Sequence, residues 1–114
     1  MNVTIKTGRD FERQAHRLAK KYKSLKQDLL SLRQELLDNP FQGVELGRGV
    51  RKIRLAISSK GGGKSGGARV LTLTLHVSDN ANVTLLTIYD KSEIGNVRDE
   101  FITWLLDNEK NQRL

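Results

Sequence analysis

Two alternating apolar stretches joined by a run of glycines place the tightest constraint on this chain. In Arg51-Lys52-Ile53-Arg54-Leu55-Ala56-Ile57, residues Ile53, Leu55 and Ile57 share one parity, and Lys52 and Arg54 share the other. In Arg69 to Ser78, residues Leu71, Leu73 and Leu75 oppose Thr72, Thr74 and His76. A period of two belongs to a strand with one face buried. Lys60 to Gly67 reads KGGGKSGG, which offers no helix for a parallel crossover. The two stretches therefore form an antiparallel hairpin with an apolar face that needs cover.

The same hairpin carries the charge. Seven of the 20 basic residues lie between Arg48 and Arg69, and no acid occurs between Glu45 and Asp79. The remaining basic residues equal the 13 acidic ones in number, so the net +7 resides in this one stretch. Such a concentration points to a polyanionic partner. Lys52 and Arg54 lie two residues apart on one strand face, roughly 7 Å from each other.

The rest of the 114 residues suffices for one domain, 1–114, and one core. Val3, Thr4 and Ile5 mark a first strand over Asn2 to Lys6. Thr7-Gly8-Arg9-Asp10 resembles a capping box and opens a helix to about Tyr22, with Phe11, Ala15, Leu18, Ala19 and Tyr22 on one face. Ser24-Leu25-Lys26-Gln27 caps a second helix, striped by Leu25, Leu29, Leu32 and Leu36, which stops before Pro40. The short link makes these two an antiparallel helical hairpin. Phe41 to Gly49 reads as loop, Val50 to Ser58 and Arg69 to Ser78 as strands, and Asp79 to Asn82 as a turn. Val83 to Tyr89 is apolar on both parities, as in a strand covered on both faces. A last helix follows Asn96-Val97-Arg98-Asp99, with Val97, Phe101, Trp104 and Leu105 on its apolar face and fraying expected after Asp107. The expected class is α+β, in the order β-α-α-β-β-β-α. An antiparallel four-stranded sheet carries the N-terminal helical hairpin on one face and is followed by a C-terminal helix.

Several chemistries find no support. There is no cysteine, and the histidines, His16 and His76, lie in different elements, so no metal site or cofactor is expected. No nucleophile elbow occurs. Gly63-Lys64-Ser65 imitates a P-loop, but the glycine required five residues earlier is Ser58, and a strand follows instead of a helix. Phe11, Tyr22, Phe101 and Trp104 are used on helix faces, which leaves little for a base-stacking sheet. No apolar leader or spanning stretch is present, so a cytoplasmic protein away from membranes is expected. What remains is a set of cations. They suit binding to a nucleic-acid backbone, and they also suit RNA cleavage by the neighbouring 2′-hydroxyl, which needs charge stabilisation at phosphorus and proton transfer. Lys52, beside Arg51 and Arg54, is the candidate base or electrostatic partner. Arg51, Lys60 and Lys64 are candidates for holding RNA backbone.

Four segments taken together, DFERQAHRLAKKYKSLKQDLLSL, RKIRLAI, GKSGGARV and LLTIYDKSE, resemble the RelE/ParE superfamily of toxins from type II toxin–antitoxin modules. The resemblance covers about residues 5–106 in the same element order, and the long GKSGG turn is similar to the RelE-like branch. It implies a RelE-like fold and a ribosome-dependent mRNA endoribonuclease that inhibits translation without metal or cofactor, giving a 2′,3′-cyclic phosphate. It also implies a cognate antitoxin with an acidic, partly disordered segment, in a toxin–antitoxin hetero-oligomer. ParE-like members instead inhibit DNA gyrase without nuclease activity, and a nontoxic nucleic-acid-binding relative is the third expectation. Matched by position, Lys52, Arg54, Arg69 and Lys91 are the catalytic cations. No tyrosine or histidine follows Tyr89, which leaves Tyr89 and His76 as candidate proton carriers.

Overall fold

The computed structural model describes residues 1–112, in the order β1 (Asn2–Thr7), α1 (Arg9–Lys21), α2 (Leu25–Asp38), β2 (Val44–Gly47), β3 (Val50–Leu55), β4 (Ala68–Val77), β5 (Asn80–Asp90) and α3 (Asp99–Gln112). The class is α+β. The first helix starts one residue later than a threonine cap would give. Gly8 is the N-cap with no side-chain cap, and the Thr7 hydroxyl donates to Glu12 Oε1 at 2.6 Å. Asp10 and Glu12 in the first turn and Lys20 and Lys21 in the last complement the helix dipole. Ser24 precedes α2, but its hydroxyl serves tertiary contacts instead of the helix backbone. It donates to Asp28 Oδ2 at 2.7 Å, and it accepts from the Ser59 N–H at 2.8 Å. The helix closes on the Asn39 N–H, which donates to the Glu35 carbonyl, one residue before Pro40 ends it.

The sheet differs from the expected four antiparallel strands. It is mixed and five-stranded, in the order β1-β5-β4-β3-β2. The first strand pairs parallel to β5, Asn2 against Asn80 through Thr7 against Leu85. Its direction follows from the helical hairpin, which returns the chain to the far edge of the sheet. The extra strand lies in the segment expected as loop: Val44 pairs with Lys52 and Glu45 with Arg51. Gly47, Arg48 and Gly49 all have positive φ and make the tight turn back into β3. Arg48 is held there by Asp99 Oδ1 and Thr103 Oγ1, both at 2.9 Å.

The sheet separates two apolar clusters. On one side Phe11, Leu18, Leu25, Leu32 and Leu36 pack on Ile53, Leu55, Val70, Val83 and Ile88. On the other, Ile102 and Leu105 of α3 pack on Val50, Leu71, Leu73, Leu86 and Tyr89. Both central strands must therefore be apolar on both parities. A bulge between Leu71 and Thr72 leaves Leu86 out of the β4–β5 register and shifts the parity of β5. That shift is how Ile88 faces the helical hairpin while its neighbour Tyr89 faces α3. The inward face of α3 is rotated from the expected one: Trp104 is 44% exposed and stacks on Phe101, whereas Ile102 is buried. The helix also continues past Asp107 to Gln112.

Candidate nucleic-acid interface

The hairpin register, which cannot be counted through the glycine turn, is set in the structure by pairing Arg54 with Arg69 and Lys52 with Leu71. On its other side Arg69 pairs with Tyr89. Arg54, Arg69 and Tyr89 thus form one lateral row across three strands, with side chains of direct neighbours about 5 Å apart at Cβ. Lys52 lies two residues along β3 from this row, beside a hollow of about 340 Å³ between Leu46, Val97 and Ile102. Arg54 is exposed and borders a second hollow of about 200 Å³ with Lys64, Glu35 and Ser58. Lys91 is exposed just past the end of β5, where its N–H donates to the Gly67 carbonyl at 3.0 Å.

Four acids pair with cationic side chains away from the row. Asp10 pairs with Arg13, Glu93 with Arg17, Asp99 with Arg48 and Asp90 with Lys60. Among the described residues, Lys52, Arg54, Lys64, Arg69 and Lys91 have no carboxylate partner. No ion pair takes up these cations, so their side chains are available to an anion, with Glu35 and Asp28 the acids nearest Arg54 in its hollow.

Arg69 is only 4% exposed. Its Nη1 donates to the carbonyls of Lys64 at 2.9 Å and Ala68 at 3.1 Å, and its Nη2 donates to Ser65 at 3.2 Å. Tyr89 is equally buried; that burial raises its phenol above the usual range, and the Arg69 charge opposes the rise. At neutral pH the phenol keeps its proton and can donate it.

By sequence, Lys60 is a candidate for holding RNA backbone. It is instead anchored, with Nζ 2.7 Å from Asp90 Oδ1 and over the Tyr22 ring. Asp90 is fully buried and also accepts from Tyr22 Oη at 2.5 Å and from Ser92 N and Oγ at 2.9 and 2.8 Å. Burial works against its charge, but the bonds from Lys60, Tyr22 and Ser92 outweigh it and hold the carboxyl well below the ordinary range. Asp28 behaves alike: burial is opposed by bonds from Ser58 and Ser24, which lower it, and the Ser58 bond ties α2 to the segment that follows β3.

Arg51 and His76 fall outside the row. Arg51 lies on the helical-hairpin side, 5.3 Å over the Phe41 ring. His76 meets the same ring edge-on at 5.5 Å, near the far end of β4. Seven residues of strand separate it from Arg69, roughly 23 Å, so the two cannot share a phosphate. The polar hub at Asp90 and Tyr22 escaped the sequence reading. Its only local trace is an acid ending the apolar run VTLLTIY, and its partner lies 30 residues away.

Among the described residues, no group of three or more His, Cys, Asp or Glu is placed to hold a metal, and no helix is long and apolar enough to cross a membrane. No family model matches the chain, and a search of curated proteins returns no match.

Proposed function

We propose that this chain is a RelE-like toxin of the RelE/ParE superfamily, a ribosome-dependent mRNA endoribonuclease acting in the cytoplasm and neutralised by an acidic antitoxin segment. One observation carries the reading: the row Arg54–Arg69–Tyr89, with Lys52 and Lys91 beside it, is cationic and has no carboxylate partner among the described residues. In the proposed reaction the 2′-oxygen attacks phosphorus and the bond to the 5′-oxygen breaks. The products are a 2′,3′-cyclic phosphate and a 5′-hydroxyl. Arg54 and Arg69 offer planar forks to the charge that builds on the phosphoryl oxygens. Lys52 serves as base or electrostatic partner at the 2′-oxygen. Tyr89, protonated, is the candidate donor to the departing 5′-oxygen. Lys64 and Lys91 suit contacts to RNA backbone.

The test is to sequence RNA 5′ ends after a pulse of expression. Cuts in phase with codons, confined to translated regions, are expected. Arg54→Ala should reduce cleavage by about 10²–10³, the usual cost of one transition-state donor. DNA breaks with an SOS response and no such cuts would support the ParE-like alternative. Cleavage undiminished in both Arg54→Ala and Arg69→Ala would remove the site assignment.

A further inference from the structure

Arg69 is the one cation of the row that is shut away from solvent. Two of its three acceptors, the Lys64 and Ser65 carbonyls, belong to the glycine turn. These acceptors are neutral, and the cross-strand neighbour is a like charge, Arg54. A buried guanidinium without a carboxylate recovers only part of its lost hydration.

The turn above it is held at its ends and free in the middle. At the entry, Ser59 bonds Ser24 and Lys60 is paired with Asp90. At the exit, the Gly67 carbonyl accepts from Lys91 N–H. Between them Gly61, Gly62 and Gly63 have positive φ and residues 61–65 are exposed, so no apolar packing holds this segment down. Gly61 N–H donates to the Ile57 carbonyl at 3.2 Å and anchors the start of the segment. Beyond it the bonds from Arg69 hold the middle closed. The Gly66 N–H and Ser65 hydroxyl bonds to Gly62 O, at 3.3 and 3.2 Å, only shape it internally.

We infer that residues 61–66 are a lid latched by Arg69, and that a phosphodiester opens it by taking over the guanidinium. This rests on reading the cationic row as a phosphate site, and adds that the site is closed until an anion competes for Arg69. A phosphate brings an opposite charge and can take both prongs of the guanidinium at once, which no single neutral carbonyl does. The displaced carbonyls of Lys64 and Ser65 lie at exposed positions, where water takes the place of Arg69. Lys64 travels with the lid, so opening moves it relative to Arg54, with which it borders one hollow in the closed form. Apparent affinity is then reduced by the fraction of closed molecules.

The probe is inorganic phosphate, an anion too small for the lid to clamp, added to the whole chain at constant ionic strength with chloride as control. Amide exchange is followed by NMR together with the side-chain Nε–H signals of the arginines. Phosphate should shift the Arg69 signal and speed exchange of the Gly66 amide, whose N–H bonds Gly62 O, roughly tenfold, the factor equivalent to one lost bond to a charged donor. Exchange at Val70 and Ile88 should stay as it was. In Arg69→Lys, the turn should exchange fast without phosphate while Val70 and Ile88 remain protected. Shifts at Arg54 with no change at Arg69 or the turn would overturn the lid and leave the cationic site standing. No shift at any of these arginines would overturn both. Opening of the turn in a protein that makes no RNA cuts would support the lid and refute the ribonuclease reading. A turn as protected in Arg69→Lys as in the unaltered protein would show that Arg69 is not the latch.

Discussion

Replacing Asp90 by asparagine removes one charge at almost constant volume from the joint where α1, the entry of the glycine turn and the end of β5 meet. Asp90 Oδ1 receives Lys60 Nζ and both Ser92 donors, while Oδ2 receives the Tyr22 hydroxyl. An amide oxygen in the Oδ1 position keeps the three contacts as weaker bonds, and Tyr22 can turn its hydroxyl to accept from the amide nitrogen. The main loss is the charge facing Lys60. Removing one partner of a buried pair costs about 3–5 kcal/mol. Lys60 is 24% exposed and can turn part-way to water, which brings the expectation to about 2–3 kcal/mol. For a domain of this size that is a fall in Tm of about 8–12 °C. Urea unfolding at several pH values is the assay. The folded carboxyl of Asp90 is depressed, so its contribution is complete above the unfolded pKa of about 3.9 and is lost as pH falls toward the folded value. The gap between Asp90→Asn and the unaltered protein should therefore be widest near neutrality and shrink below about pH 5. A difference under about 0.5 kcal/mol at pH 7, the range of an ordinary surface change, would refute the reasoning. So would a gap that stays constant down to pH 3.

Gly67→Ala should cost about 3 kcal/mol, because its Cβ would lie 2.0 Å from the Leu55 carbonyl and force the ends of β3 and β4 apart. Gly95→Ala, with nothing within 4 Å, should be neutral or stabilise by up to about 1 kcal/mol in the same urea titration. Leu25→Ala, at a position with 0% exposure, should cost about 2–5 kcal/mol, whereas Leu30→Ala, 49% exposed on the same helix, should stay within about 0.5 kcal/mol. Absorbance titration should place one tyrosine above the usual phenol range, and Tyr89→Phe should remove it. Since the folded state holds that proton more tightly, stability should fall as pH rises past the unfolded value of about 10, less steeply in Tyr89→Phe.

Local periodicity made most of the fold legible. The helix stop before Pro40, the alternation around Ile53 and Leu73, and the doubly apolar run of β5 each encode an element within a few residues. The strand β2 was not legible because FQGVELGRG has no alternation of its own; β3 supplies its pairing. The parallel direction of β1 is decided by where the helical hairpin returns the chain, which no short window records. On α3 the candidate apolar positions spread around the helix, and packing chose Ile102 and Leu105 over Trp104. In the candidate site, residue type and strand parity picked out Lys52 and Arg54, while Arg69 was named only by the resemblance. Their lateral relation needed the register, and the capture of Lys60 by Asp90 needed the tertiary structure.

The parallel pairing of β1 with β5 sets a clock on synthesis. Asn2 Nδ2 reaches Asn80 Oδ1 across 78 residues of chain. At about 5–20 residues per second, the first strand waits roughly 4–16 s for its neighbour. During that interval α1 and α2 can form from local contacts, but Phe11, Leu18 and Leu36 have no sheet to cover them. Tyr89 is among the last residues of the sheet to emerge, so the row that begins at Arg54 cannot be completed on a partial chain. A growing molecule passes through a stage that is sticky before it has a finished cationic face.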